Sequence, residues 1–191
     1  SGKSFHIKNV SNYLKKKKIK FIKIREPGGF LNSEKIKKLI LNKKTKFNRF
    51  TDLLLYIAAR NENINNILLK NYRKKIILID RFSDSTIAYQ HYGMKINIKI
   101  IRYLNNIILK NFKVDFTFLN IVNNENMKSR LKRRKNLNRY DKFNNKFYSN
   151  VQGGFLKLSK NKKNYLIVNS NLPIEFNKKI IVNKLKKILK K

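Results

Sequence analysis

Short β-branched apolar runs alternate with longer amphipathic stretches along the whole chain. Ile76-Ile77-Leu78-Ile79 is apolar without a break, which suits a parallel strand buried on both faces. Ile19–Ile24 (IKFIKI), Asp115–Ile121 (DFTFLNI) and Tyr165–Val168 read as further strands. Helical patterns lie between them. Phe5–Lys17 carries apolar Phe5, Val10, Tyr13 and Leu14, and Ser33-Glu34 opens a helix through about Leu41. Thr51 to about Tyr72 is a long helical stretch, followed later by Asn97–Lys110 and Asn124–Lys135. From Asp141 to Leu158, the residues Phe147, Val151, Phe155 and Leu158 fall on one helical face. Pro173 lies near the start of a terminal helix, where its missing N–H costs least. Strands alternating with helices predict one α/β domain over 1–191, a doubly wound parallel sheet with flanking helices. The chain has no linker-like run and no repeat.

Polar residues cluster at the ends of these elements. Asp80-Arg81 follows the central apolar run directly. The carboxyl ends of parallel strands are where open α/β sheets bind ligands. A carboxylate there can hold a magnesium ion's water shell, and a guanidinium can fork onto phosphate oxygens. A lone Asp-Arg is equally an ion pair at a strand end. Ser1-Gly2-Lys3-Ser4 reads as the tail of a G-x-x-x-x-G-K-[ST] phosphate loop. In such a loop Lys3 reaches the β- and γ-phosphates and Ser4 ligates magnesium. GKS also occurs often by chance, but here a helix follows and its amino terminus would face the phosphate. The loop's first glycine and its preceding strand are not in the sequence, which does not start with Met. We therefore expect roughly a dozen residues upstream, from the length of a strand plus loop. Without them the sheet lacks a central strand, and we expect poor folding and little activity.

Arg25-Glu26-Pro27-Gly28-Gly29 ends the second strand candidate. Pro-Gly-Gly continues neither helix nor strand, and its turn delivers Arg25 and Glu26 to the sheet edge of Asp80. Tyr56 and Arg60 are four apart in a helix and share a face. A ring and a cation so placed can stack a base and hold its phosphate, or can simply be core and solvated surface. Arg130-Leu131-Lys132-Arg133-Arg134-Lys135 and Arg139 form a basic excursion over about 130–143. Such an excursion over a phosphate site reads as a lid that supplies charge to a transferring phosphoryl group.

Composition narrows the classes. There are no cysteines, which excludes disulfides and cysteine-bound zinc and points away from secretion. No apolar run approaches the roughly 20 residues of a membrane span, and no signal peptide is visible. We expect a cytoplasmic protein with no membrane association. Hydrophobic content of 41% excludes a disordered chain. The formal net charge of +37 by itself suggests a polyanion partner. The lysines are spread over the whole chain among abundant Asn and Ile, a pattern of coding bias rather than a selected patch. We expect no specific nucleic-acid partner.

Together these stretches resemble bacterial thymidylate kinases. The resemblance rests on Gly2-Lys3-Ser4, Arg25 to Gly29 with Glu34, Leu54 to Arg60 (LLYIAAR), Asp80 to Gln90 (DRFSDSTIAYQ), and Arg130 to Asp141 with the Phe147/Val151/Phe155 helix. They follow the family's order and spacing over essentially the whole chain. The resemblance implies a P-loop fold and transfer of the ATP γ-phosphoryl to dTMP, giving dTDP and ADP, with Mg2+. It implies ATP binding by Ser1, Gly2, Lys3 and Ser4, and metal binding by Ser4 and Asp80. For dTMP it implies Tyr56 stacking on thymine, Arg60 on the phosphate, and Thr86 and Gln90 at the thymine edge. Tyr89 would sit under the sugar and disfavour a 2′-hydroxyl. Arg81 would bridge the two phosphates. Lys3, Arg81 and the lid residues Arg134 and Arg139 would be catalytic, with Arg130 and Lys132 as further lid candidates. Family members are commonly homodimers.

The sequence departs from the family at Phe30, where Thr is usual, and at Asn120, Asn138 and Asn169, where Asp is common. Two other readings stay open. One is a related P-loop nucleotide kinase with another acceptor. The other is an inactive truncated homologue that only binds nucleotides or polyanions.

Overall fold

The computed structural model describes residues 2–110, 112–132 and 137–190, without the side chains of Leu131 and Lys132. Arg134 and Ser1 therefore lie outside the described residues. Four parallel strands form among them. β1 (Phe21–Arg25) pairs with β2 (Ile76–Asp80), in a register that sets Arg25 beside Asp80. β3 (Thr117–Ile121) pairs with β4 (Tyr165–Asn169), setting Ile121 beside Asn169. The parallel strands expected from the sequence stand as two parallel pairs among the described residues. Among the described residues no ladder joins β2 to β3, and side chains connect the pairs instead. Ile76 and Leu78 of β2 pack in one cluster with Phe118, Leu166 and Val168. The Tyr165 hydroxyl also donates to the Asp84 carboxylate.

Helices cover this framework. α1 (Lys3–Lys16) buries Val10 and Leu14 against Val168 and against Ile181 and Leu185 of α9 (Ile174–Leu189). α2 (Leu31–Leu41) packs on α3 (Arg49–Asn63). Asn48 caps α3 by accepting from the Thr51 N–H. The helix runs on through a π-helical turn, Ile64–Leu68, and a last turn α4 (Leu69–Asn71). After β2, α5 (Ser83–Thr86) passes directly into a π-helical segment, Ile87–Gly93. α6 (Ile98–Leu109) packs Ile101 against Leu53 and Ile57 of α3. After α7 (Asn124–Lys132), a 3-10 turn spans Arg139–Lys142. α8 (Asn145–Ser159) begins later than its hydrophobic pattern suggests. The Asn138 and Asp141 side chains cap the 3-10 turn reciprocally, and the Asn144 side chain then caps α8 itself.

α3 carries the arrangement that matters most for the site. Asp52, Tyr56, Arg60 and Asn63 recur at helical spacing, so they form one stripe. Asp52, Arg60 and Asn63 are polar and buried. A helix that buries polar groups must supply each with partners, and these partners build the site.

Candidate active site

The turn after β1 is held from α3. Asn63 donates to the Gly28 carbonyl at 2.8 Å and accepts from the Phe30 N–H at 2.9 Å. Its oxygen also accepts from the Ser33 hydroxyl. Gly29 sits at φ 133° with Asn63 packed against it, a backbone region in which L side chains are strained. Sequence reasoning missed Asn63, whose only signal was its place on the Tyr56–Arg60 face.

The turn brings Glu26 to Arg60. The Glu26 carboxylate accepts from Nε and Nη2 of Arg60, both at 2.8 Å. Arg60 Nη1 donates to Asn105 of α6 at 2.7 Å. The guanidinium also lies 5.2 Å from the centroid of the Phe82 ring. Arg60 is therefore a buried, fully oriented group rather than an exposed cation. Burial lifts the Glu26 carboxyl above the usual carboxylate range, and Arg60 pulls it back only in part.

Asp80 and Arg81 stand at the carboxyl end of β2, as the apolar run implied. The Arg25 Nε approaches Asp80 Oδ2 at 3.5 Å. Asp80 Oδ1 is buried with no hydrogen-bond partner among the described residues. Such an oxygen needs a water or a cation. No group of three or more metal-ligating side chains forms among the described residues. A single carboxylate fits Mg2+, which keeps several waters and leans on substrate phosphates. Ser4 carries a hydroxyl in the first turn of α1, and Gly2 caps this helix in the left-handed conformation.

Arg81 adopts φ 69°, unusual for a residue with a side chain and a mark of functional sites. Its guanidinium lies 5.1 Å from the Tyr89 ring centroid. Burial works against its charge, but Tyr89, Asp80 and Tyr56 more than offset this and hold the proton more tightly than usual. Thr86 and Gln90, one turn apart, are 2% and 1% exposed. The Thr86 hydroxyl has no partner among the described residues. Gln90 Nε2 donates to the Tyr140 hydroxyl at 3.4 Å.

Tyr140 brings the 3-10 turn against these residues. Its ring lies edge-on to Tyr56 and Tyr89, with centroids 6.0 and 5.9 Å away. Its hydroxyl donates to Asp52, and burial first of all pushes its pKa far up. Burial raises the Tyr56 phenol as well. Arg139 donates to the other Asp52 oxygen and to the Ile40 carbonyl, and stands over Phe47 and Tyr140. In this arrangement Arg139 anchors the 3-10 turn to α2 and α3. Arg130 donates to the Ser170 carbonyl at 2.9 Å. Neither Asp52 nor Tyr140 was singled out from the sequence. Asp52 lies four residues before Tyr56, and that spacing was the available signal.

The family model described as thymidylate kinase matches residues 1–181. A thymidylate kinase of Thermosipho africanus is 35% identical over 176 residues, covering 92% of this chain and 87% of the relative. One from Mycoplasma capricolum is 35% identical, covering 97% of this chain and 92% of the relative. The crystal structure of thymidylate kinase from Ehrlichia chaffeensis superposes with a TM-score of 0.74 at 28% identity. That superposition covers 100% of this chain and 92% of the other. Match over nearly the whole length and common architecture lead to one conclusion: the chain belongs to the thymidylate kinase family.

Proposed function

We propose that the chain transfers the γ-phosphoryl of ATP to the 5′-phosphate of dTMP, giving dTDP and ADP. The observation that carries this reading is the meeting of Tyr56, Tyr89 and Gln90 around Tyr140, with Arg81 over the Tyr89 ring and Arg60 held buried by Glu26. Lys3 and Ser4, with the N–H groups at the start of α1, bind the ATP phosphates. Phosphates favour a helix amino terminus because its N–H groups are unpaired and its dipole is positive there. Mg2+, when bound, neutralises phosphate charge, and Ser4 and Asp80 Oδ1 are the groups that would hold it.

Phosphoryl transfer asks the protein chiefly for positioning and charge neutralisation. Arg81 lies between donor and acceptor phosphates, and the Tyr89 ring under its guanidinium fixes its direction. The acceptor is already an anion, so no strong general base is needed. Tyr56 stacks on thymine, Thr86 and Gln90 meet the base edge, and Tyr89 crowds the 2′ position of the sugar. Arg60 completes the dTMP pocket from its buried pair with Glu26. The lid, over about 130–143, closes the site against water, and Arg134 is its proposed reach to the transferring phosphoryl.

We place the enzyme in the cytoplasm, where its nucleotide substrates are, and propose a homodimer. Among the described residues no helix is long and apolar enough to cross a membrane. Leu54 of α3 and Ile100, Tyr103 and Ile107 of α6 are exposed, Tyr103 by 68%. An apolar face of this kind on two adjoining helices suits a second copy.

A coupled ADP-release assay with Mg2+ across dTMP, dUMP, dCMP, dGMP and AMP tests the reading. The expected result is strong preference for dTMP. Preference for another acceptor would make the chain a related kinase. DNA binding that persists at physiological salt, with no dTMP turnover, would instead favour a polyanion-binding protein.

A further inference from the structure

We propose that Asp52 and Tyr140 are positioning residues that set which way the Gln90 amide faces, and so select an imide pyrimidine over an amino pyrimidine. The inference rests on the dTMP reading above.

The logic is one of donors and acceptors. A phenol carries one proton and can accept at its oxygen. The Tyr140 proton goes to Asp52, an acceptor-only carboxylate whose other oxygen takes Arg139. The Tyr140 oxygen is then left as an acceptor. Gln90 can meet it only through its NH2 group, and Nε2 is indeed the atom that does so. The carbonyl Oε1 of the same amide must face the other way.

That orientation has a chemical consequence at a pyrimidine edge. Thymine and uracil carry a donor at N3, which an amide oxygen accepts. Cytosine carries a lone pair at N3, which the same oxygen repels. A reversed amide would present NH2 and favour cytosine. The buried, unpartnered Thr86 hydroxyl one turn earlier marks this face as the polar side of a ligand site. A site whose hydrogen-bonding groups are oriented before binding rejects the wrong partner more strongly than a mobile one, because the mismatch leaves a buried group unpaired. Asp52 is 38 positions before Gln90 and Tyr140 is 50 after it. The lid, α3 and the base-reading residue thus share one network.

Two substitutions test it. Tyr140→Phe keeps the ring and removes the hydroxyl, so the Gln90 amide is free to turn. Asp52→Asn keeps the shape and can retain the Arg139 contact through its oxygen. Its NH2 can then donate to Tyr140, which turns the phenol proton toward Gln90 and favours the reversed amide. The measurement is kcat/KM for dTMP divided by kcat/KM for dCMP, with thermal melts to confirm folding. We expect the ratio to fall about tenfold or more in Tyr140→Phe and further in Asp52→Asn. The loss toward dTMP should appear in KM rather than kcat. A general weakening of the fold would lower both acceptors alike and leave the ratio in place. If Tyr140→Phe does not fold, Asp52→Asn decides alone. A wild type active on dTMP with unchanged ratios in the folded variants would overturn this inference and leave the function standing. A wild type inactive on dTMP would overturn the dTMP reading, and this inference with it.

Discussion

Arg60 and Glu26 meet at 2.8 Å with exposures of only 2% and 4%. The pair couples the turn after β1 to the middle of α3. Burial raises the Glu26 carboxyl above its ordinary value near 4.5, so the folded state holds this proton more tightly than the unfolded chain. The Glu26 contribution to stability is therefore greatest below about pH 4.5 and declines as pH rises through the folded-state pKa. Urea unfolding of wild type and Glu26→Gln across pH 4 to 8 checks this. The margin of wild type over Glu26→Gln should narrow as pH rises, and a margin that widens would contradict the raised carboxyl.

Arg81 combines a strained backbone with a guanidinium stacked over Tyr89. An arginine on the transferring group is worth roughly 10³-fold or more in rate. Arg81→Ala should lose about that much in kcat while melting close to wild type, since the substitution keeps the strained backbone without removing core. Steady-state kinetics within tenfold of wild type would remove Arg81 from its bridging role.

Tyr89 touches Arg81 on one side and Tyr140 on the other. Tyr89→Ala should lower kcat through Arg81 and also narrow the preference for dTMP over its ribonucleotide counterpart. Tyr89→Phe retains the ring and should retain the preference. The kcat/KM ratio of the two acceptors separates the effects, and an unchanged ratio in Tyr89→Ala refutes the sugar-gate role.

Gly29 is a packing and conformational requirement at once. A Cβ there would come within 2.5 Å of the Asn63 amide oxygen, at a φ of 133°. Gly29→Ala should cost about 1–3 kcal/mol through overpacking and backbone strain. It should also raise KM for dTMP, because Asn63 positions the turn that carries Glu26. Thermal melts and dTMP titrations read the two effects, and a variant matching wild type in both would show that the turn tolerates a side chain.

Much of this molecule is written locally. The apolar run before Asp80, the Gly2-Lys3-Ser4 helix start, the Pro-Gly-Gly turn and the Asp80–Gln90 stretch depend on neighbours in sequence, so spacing and residue type were enough to place them. Helix limits were less legible where side-chain caps intervened, as at Asn138, Asp141 and Asn144 ahead of α8. Which groups pair across the fold was legible only at the sheet edge, where Arg25 meets Asp80. Arg60 could have been a solvated cation, yet Glu26, 34 residues earlier, and Asn105, 45 later, enclose it. Arg139 read as a charge for phosphate, yet Asp52, 87 residues away, engages it. The strands pair in two parallel sets among the described residues, and that pairing depends on which backbones come side by side. Local geometry and residue chemistry are properties of the chain, and they determined the elements and the family. Burial assigns partners to polar groups only when distant segments have packed, and that decision belonged to the tertiary structure.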